Sequence, residues 1–379
     1  MTGLLIYLPT TAYFPQFFFL VAFFYVLVRD RNSVLNSFNE FRTDPKRPIN
    51  WNFLIILLIV FFSSINRLIH WDSLNSFADI FPYFVLLIPT FVIAKGFKAV
   101  DAKVLVLLVA IESIAVILQW YFNVSTFDSS LAGFTEFEQG ASAYFQRPLG
   151  WSDSSSHVAS KLLLSWMMID FFKFKNKLWW LVKLLLLFAI VFTFNRSVIL
   201  SLGVYIIIYY GVGFLNLRFK LENAVVGLYA AIFSSLAIAF VAIFKWESIL
   251  NQFTRNTGTV ELTGREYLWS DFILFIQDHL IFGNNSIKLW LDGYHAHNAY
   301  IEVIATNGIF IAILYFILIY RNIRSNNWVY VVPVLVYGLT QYGFFWGISL
   351  MDILFYVILF TGCTQIKTES IFLKAEPTL

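Results

Sequence analysis

Apolar residues recur along this chain in blocks of about 20, the length a helix needs to cross the hydrocarbon core of a bilayer. The blocks predict about eleven membrane helices, near 8–28, 51–69, 77–95, 103–122, 157–172, 178–194, 197–216, 223–244, 297–319, 328–345 and 348–363. Lys and Arg gather in alternate connections: Arg29, Arg31, Arg42, Lys46 and Arg47, then Lys95, Lys98 and Lys103, then Lys173, Lys175 and Lys177, then Arg218 with Lys220, Arg321 with Arg324, and Lys367 with Lys374. These connections are expected on the cytoplasmic side, and an odd number of spans then puts the N-terminus on the outer side. Two long outer loops remain, 123–156 and 245–296, together with short links at Arg67 and at Arg196, the latter following directly on Asn195. The whole chain, 1–379, reads as one all-α polytopic transmembrane domain.

Composition sharpens this. Hydrophobic residues are 59% and charged residues 13% of the chain, about half the charge of a soluble domain, and Phe occurs 43 times. Only lipid tolerates so much apolar surface. A formal charge of +3 is too small to suggest nucleic acid. The lone Cys363 excludes a disulfide framework, and no basic stretch precedes the first apolar run as a cleavable signal would require.

The outer loops are acidic on balance, so each cation in them asks for a partner. In the second loop Glu247, Glu261, Glu266, Asp271, Asp278 and Asp292 outnumber Lys245, Arg255, Arg265 and Lys288. Thr263 and Glu266 have the spacing of a capping box, which starts an amphipathic helix and places Arg265 in its first turn. A cation there opposes the helix dipole at about 0.3 to 1 kcal/mol unless an anion joins it. Free backbone N–H groups beside a guanidinium suit a phosphate, while pairing with Glu261 or Glu266 is the plainer reading.

Arg196 is either a snorkelling interfacial cation or a fixed charge facing an outer cavity. Arg147, in QRPLGWSDSSSH, is either a loop ion pair or a second cation for substrate. His297 opens the ninth apolar block and is an interfacial histidine or a base, since its ordinary pKa near 6.5 leaves much of it neutral. Arginines nearby would keep it so. Glu302 shares a helical face with Asn298 and is expected to orient polar neighbours or pair with an arginine. Asp170 and Lys183 read as interfacial, and Glu112 and Asp352 receive no role.

Several chemistries are excluded by absence. His295 and His297 alternate, but no H-x-x-x-H accompanies them as a metal site would want, so no metal and no cofactor is expected. There is no phosphate-binding Walker loop, no G-x-S-x-G and no D-x-D. A diphosphate would have to be held by arginine.

These residues resemble the bacterial O-antigen ligase and O-antigen polymerase superfamily. His297 and Asn298, followed after nine residues by Gly308, fit its H-[NSQ]-x9-G signature. GREYLW is similar to its G-R-x-x-x-[WL] element, HLIFGN to the glycine segment that follows, and FNRSV to its S-R-S turn. RPLGWSDSSSHVAS is similar to a stretch that usually reads R-x-x-G-x-x-x-x-P-N, with Ser in place of Pro and Asn. The resemblance covers roughly 145–345.

It implies a C-type glycosyltransferase fold in the bacterial inner membrane with its site on the periplasmic face. The donor would be a glycan on undecaprenyl pyrophosphate, held by Arg196 and Arg265, and His297 would activate an acceptor hydroxyl. Arg147, Asn195, His295, Asn298 and Glu302 would line the substrates. A chain-length regulator is an expected partner of such a protein. The transfer would invert the anomeric carbon without a metal. Polymerase is favoured over ligase, because acidic outer loops suit the anionic lipid A core poorly. A lipid-glycan transporter is the competing class, but it would spread charge along several helices rather than collect it at one surface.

Overall fold

A computed structural model describes residues 1–31, 51–69, 82–128, 147–215, 265–284, 288–291, 293–341, 344–345 and 349–372. The eighth predicted block, 223–244, lies outside the described residues, as do Thr263 and most of both outer loops. The helices are α1 Thr2–Tyr7, α2 Phe18–Arg29, α3 Trp51–Ile69, α4 Pro82–Gly96, α5 Ala99–Tyr121, α6 Ser155–Phe171 and α7 Leu178–Phe192. They continue as α8 Arg196–Leu215, α9 Arg265–Asp278, α10 Ala299–Asn307, α11 Ile309–Asn322, α12 Trp328–Gly338 and α13 Leu350–Phe372. No strand occurs among the described residues, and α3 is the one described helix long and apolar enough to cross a membrane unaided.

The chain divides into two compact units, Met1–Leu105 with Arg265–Leu379, and Val106–Gly264. In the first, the predicted opening span over 8–28 is replaced by a hairpin. Pro9, which offers no N–H, sits in a single tight turn over Leu8–Thr10 after α1, and the chain reverses past Pro15 into α2. Arg29 at the end of α2 donates to the Thr2 hydroxyl at 3.0 Å and to Asp101 at 2.8 Å, so Thr2 and Arg29 share one end of the unit. Twelve residues span about 18 Å, well short of a hydrocarbon core of about 30 Å. The N-terminal residues therefore lie on the side of the basic connection carrying Lys98, not on the outer side expected from span counting.

Elsewhere in this unit, polar side chains pin helices that lipid alone could not order. Asn52 of α3 and Asn322 of α11 exchange amide bonds of 2.9 Å. Phe91 of α4 packs edge-on against Phe360 of α13 at 5.1 Å. Asp352 gains a role here: its carboxylate accepts from Phe345 N at 2.7 Å and Ser349 Oγ at 2.9 Å, while Ser349 Oγ caps α13 by accepting from Asp352 N at 2.9 Å.

In the second unit, Glu112 of α5 is fully buried and takes Lys161 Nζ of α6 at 2.8 Å and Trp151 N at 2.9 Å. Gln119 of α5 bonds Gly150 through both amide ends, at 2.8 and 2.9 Å. The loop that follows Arg147 is thus tied to α5. Lys183 is buried and paired with Asp170, which also accepts from Tyr205 Oη at 2.7 Å.

Candidate functional site

In the first unit α9 packs Phe272, with Leu268, Phe275 and Ile276, against Leu289, Ala296 and Ala305. The turn after α9 is stitched to the junction of α10 and α11 by backbone alone. Ile309 N donates to Leu280 O, and Asn284 N to Ala305 O, both at 2.9 Å. The predicted ninth span is broken at this junction by Gly308, at φ +80°. A Cβ on Gly308 would stand 1.9 Å from Ile281 O, and one on Gly283 (φ +62°) would stand 2.5 Å from the Thr306 carbonyl carbon. Both glycines are thus required twice over, by backbone angle and by close approach. Gly308→Ala is expected to cost several kcal/mol, since left-handed strain of about 1 to 3 kcal/mol adds to a backbone overlap. Loss of monodisperse protein in detergent chromatography, or a large fall in melting temperature, is the readout.

Between these elements runs a short loop whose ends are held by one carboxylate. Glu302, fully buried in α10, accepts from Leu289 N at 2.7 Å and Ala296 N at 3.0 Å. Its partners are backbone amides, not an arginine. Within the loop Leu291 and Tyr294 exchange 2.9 Å backbone bonds. The Trp269 indole of α9 donates to Ala296 O at 2.7 Å, so the residue before His297 is fixed through both its N–H and its C=O.

His297 follows at φ +48°, a conformation uncommon outside glycine and concentrated at functional sites. Its N–H donates to His295 Nδ1 at 3.2 Å, the two rings lie 3.8 Å apart, and its own Nδ1 is buried without a hydrogen-bond partner. Asn298 is the N-cap of α10. Its carbonyl accepts from Tyr300 N at 2.9 Å and Ile301 N at 3.2 Å, and its amide donates to Leu339 O at 3.1 Å. Arg265, half-buried in the first turn of α9, donates to Thr340 O at 3.0 Å. The consecutive residues Leu339 and Thr340, just after α12, thus each hold one candidate residue. The Gln341 side chain acts on the His297 pKa in the sense opposite to burial, raising it.

Both loop imidazoles are kept neutral. Burial pushes the His297 pKa down to about 4, helped by the Arg265 charge. His295 is pushed to about 2 by burial, then by His297, Lys288 and Arg265. A neutral imidazole beside a guanidinium can accept a proton while the cation holds an anion.

The second unit carries the remaining candidates. Asn195 caps α8, accepting from Val198 N at 3.1 Å and donating to Ser156 Oγ at 3.2 Å. Arg196 is the first residue of that helix, just after Phe194 at φ +51°. Arg147 is half-buried ahead of the pinned Gly150 loop. Sequence reasoning missed Trp269 and Leu339–Gln341. Trp269 lay inside the GREYLW element, and Thr340 and Gln341 interrupt an apolar run, which were the available signals. No cluster of three or more metal-ligating side chains occurs among the described residues.

Residues 181–316 match the Wzy_C family model, described as O-antigen ligase. No curated protein and no solved structure matches the chain.

Proposed function

We propose, from the match of residues 181–316 to the O-antigen ligase family model and the signature residues around His297, that the chain is an O-antigen polymerase. It moves a growing glycan from undecaprenyl pyrophosphate onto a hydroxyl of a lipid-linked repeat unit. What supports a transferase most directly is that Arg265 and Asn298 are tied to the consecutive carbonyls of Thr340 and Leu339, with His297 next to Asn298 and kept neutral by burial and by the Arg265 charge.

In this reading Arg265 neutralises the pyrophosphate, and Arg196 and Arg147 are the further donor-side cations that the family resemblance implies. The acceptor oxygen attacks the anomeric carbon as the bond to the pyrophosphate oxygen breaks. The proton passes to His297, and the electron pair leaves with the undecaprenyl pyrophosphate. A phosphate leaving group stabilised by cations needs no general acid, whereas a sugar hydroxyl gains from a positioned base. One displacement inverts the anomeric carbon. In this reading the fold is of the C-type glycosyltransferase kind, in the bacterial inner membrane with the site facing the periplasm, and a chain-length regulator is the expected partner.

The second reading, a ligase that transfers the glycan to lipid A core, is favoured by the description of the matching family model. Purified protein given only a lipid-linked repeat, with EDTA, is expected to build a ladder of longer lipid-linked products. Product only after lipid A core is added would make it a ligase. Sensitivity to EDTA would overturn the arginine-only treatment of the diphosphate, and no transfer at all would point to a transporter.

A further inference from the structure

Three large apolar residues in a row, Leu280, Ile281 and Phe282, stand 46%, 51% and 39% exposed in the turn after α9, inside what reads by sequence as an outer aqueous loop. Two helices fix their height in the membrane. α3 and α11 pack together and run in opposite directions. At one end Asn52 and Asn322 exchange amide bonds, and the Arg321 guanidinium lies 5.4 Å over the Trp51 ring. An aromatic ring and an arginine beside the basic connection with Arg324 mark the inner interface. At the other end Asn66 Nδ2 of α3 donates to Phe282 O, and the N–H of Ile309, which opens α11, donates to Leu280 O at 2.9 Å. The turn is thus tied to both helices, and Asn66 stands fourteen residues beyond Asn52 on α3, about 21 Å of helix. That is short of a hydrocarbon core of about 30 Å. The apolar triplet therefore sits at the depth of the outer leaflet, not above it.

We infer that Leu280–Phe282 is a lipid anchor: the turn after α9 dips into the outer leaflet, and its side chains lie among phospholipid acyl chains. Irregular backbone is tolerated at that depth only where protein satisfies its polar groups. The turn meets this condition. Leu280 O and Phe282 O have the partners just named, Gly283 N donates to His279 O at 2.8 Å, and Asn284 N donates to Ala305 O at 2.9 Å. A loop in water would need none of these bonds and would not set three large apolar side chains side by side in solvent. The neighbouring helix ends are apolar and about half exposed as well, Leu68 and Ile69 on α3 and Phe310 on α11, so the turn continues the outward surface of helices placed in lipid. Asp278 and His279, exposed directly before the triplet, put the water boundary at the end of α9. The anchor sets the height of the Gly308 junction against the bilayer. It rests on α3 crossing the membrane and not on the transferase reading.

The test uses the full-length protein with Cys363→Ser as background, in vesicles of phosphatidylethanolamine and phosphatidylglycerol. One nitroxide label is placed at Ile281→Cys, at Ile313→Cys on the exposed side of α11, or at Tyr294→Cys in the loop before His297. Power saturation reads how often each label meets oxygen, which concentrates among acyl chains, and a water-soluble nickel chelate. Oxygen is expected to prevail several-fold at 281, as at 313, and the chelate at 294. A chelate preference at 281 overturns the anchor, because the turn would then stand in water. Protection from both probes also overturns it, as the mark of a protein partner or a second copy over the turn. So does loss of oxygen access at 281 when a polyprenyl pyrophosphate is added, which would make the triplet part of a substrate site instead. A chelate preference at 313 would take α11 out of lipid and remove the depth on which the inference stands. Should Ile281→Cys fail to fold, the similarly exposed Leu280→Cys decides in its place. No label needs turnover to be read, so an inactive protein leaves this outcome intact.

Discussion

His297→Ala is expected to abolish detectable turnover while the protein still binds its lipid-linked donor with near wild-type affinity. The His297 ring is half-buried with its Nδ1 fully enclosed, and the candidate anion holder in the same unit is the separate Arg265. A residue engaged in the transition state but not in donor binding loses kcat rather than affinity. The pH profile of the intact protein carries the same signature. Protonating His297 removes the base, so kcat/KM rises with pH through about 4 and is level by neutrality, instead of rising through the ordinary imidazole value near 6.5. An acid limb near 6.5 would show that the ring is solvated in the working protein. Substantial activity in His297→Ala would remove the base assignment.

Arg265→Ala is expected to do the converse, weakening donor binding by about 10- to 100-fold, the worth of a charge-assisted contact to phosphate. It should also lift the acid limb above 4, because the Arg265 charge is the second cause of the depressed His297 pKa. Burial, the larger cause, remains, so the limb stops short of 6.5. Arg265→Lys separates the two effects. It keeps the charge, hence the limb, but a lysine lacks the planar fork that matches phosphate and restores binding only in part. Wild-type donor affinity in an inactive Arg265→Ala protein would count against the phosphate role.

The apolar blocks and the polar junction at His297 were legible from residue type and spacing alone. The nine residues between Asn298 and Gly308 are a helix of nine residues between an asparagine cap and a left-handed glycine, so that spacing has a local physical cause. What stayed hidden follows from how contacts are made. Leu339 and Thr340 act through carbonyls that every residue possesses, and no pattern of side chains marks them. Glu302 was placed correctly on the face of Asn298, yet the loop that wraps over that face decides its partners, and loop paths are not periodic. Hydropathy counted the first apolar block as a span because it registers residues, not direction. Pro9 and Pro15 carried the signal that the chain turns back.

The buried Nδ1 of His297 bears on what happens when no acceptor is present. A transferase that primes its base in open solvent spends donor on hydrolysis, since water is the most abundant nucleophile at a membrane surface. Here the nitrogen is out of reach of bulk water, packed beside the His295 ring. On the transferase reading proposed above, the ring must open towards a bound acceptor before it can take a proton, so hydrolysis of the donor in the absence of acceptor is expected to be slow.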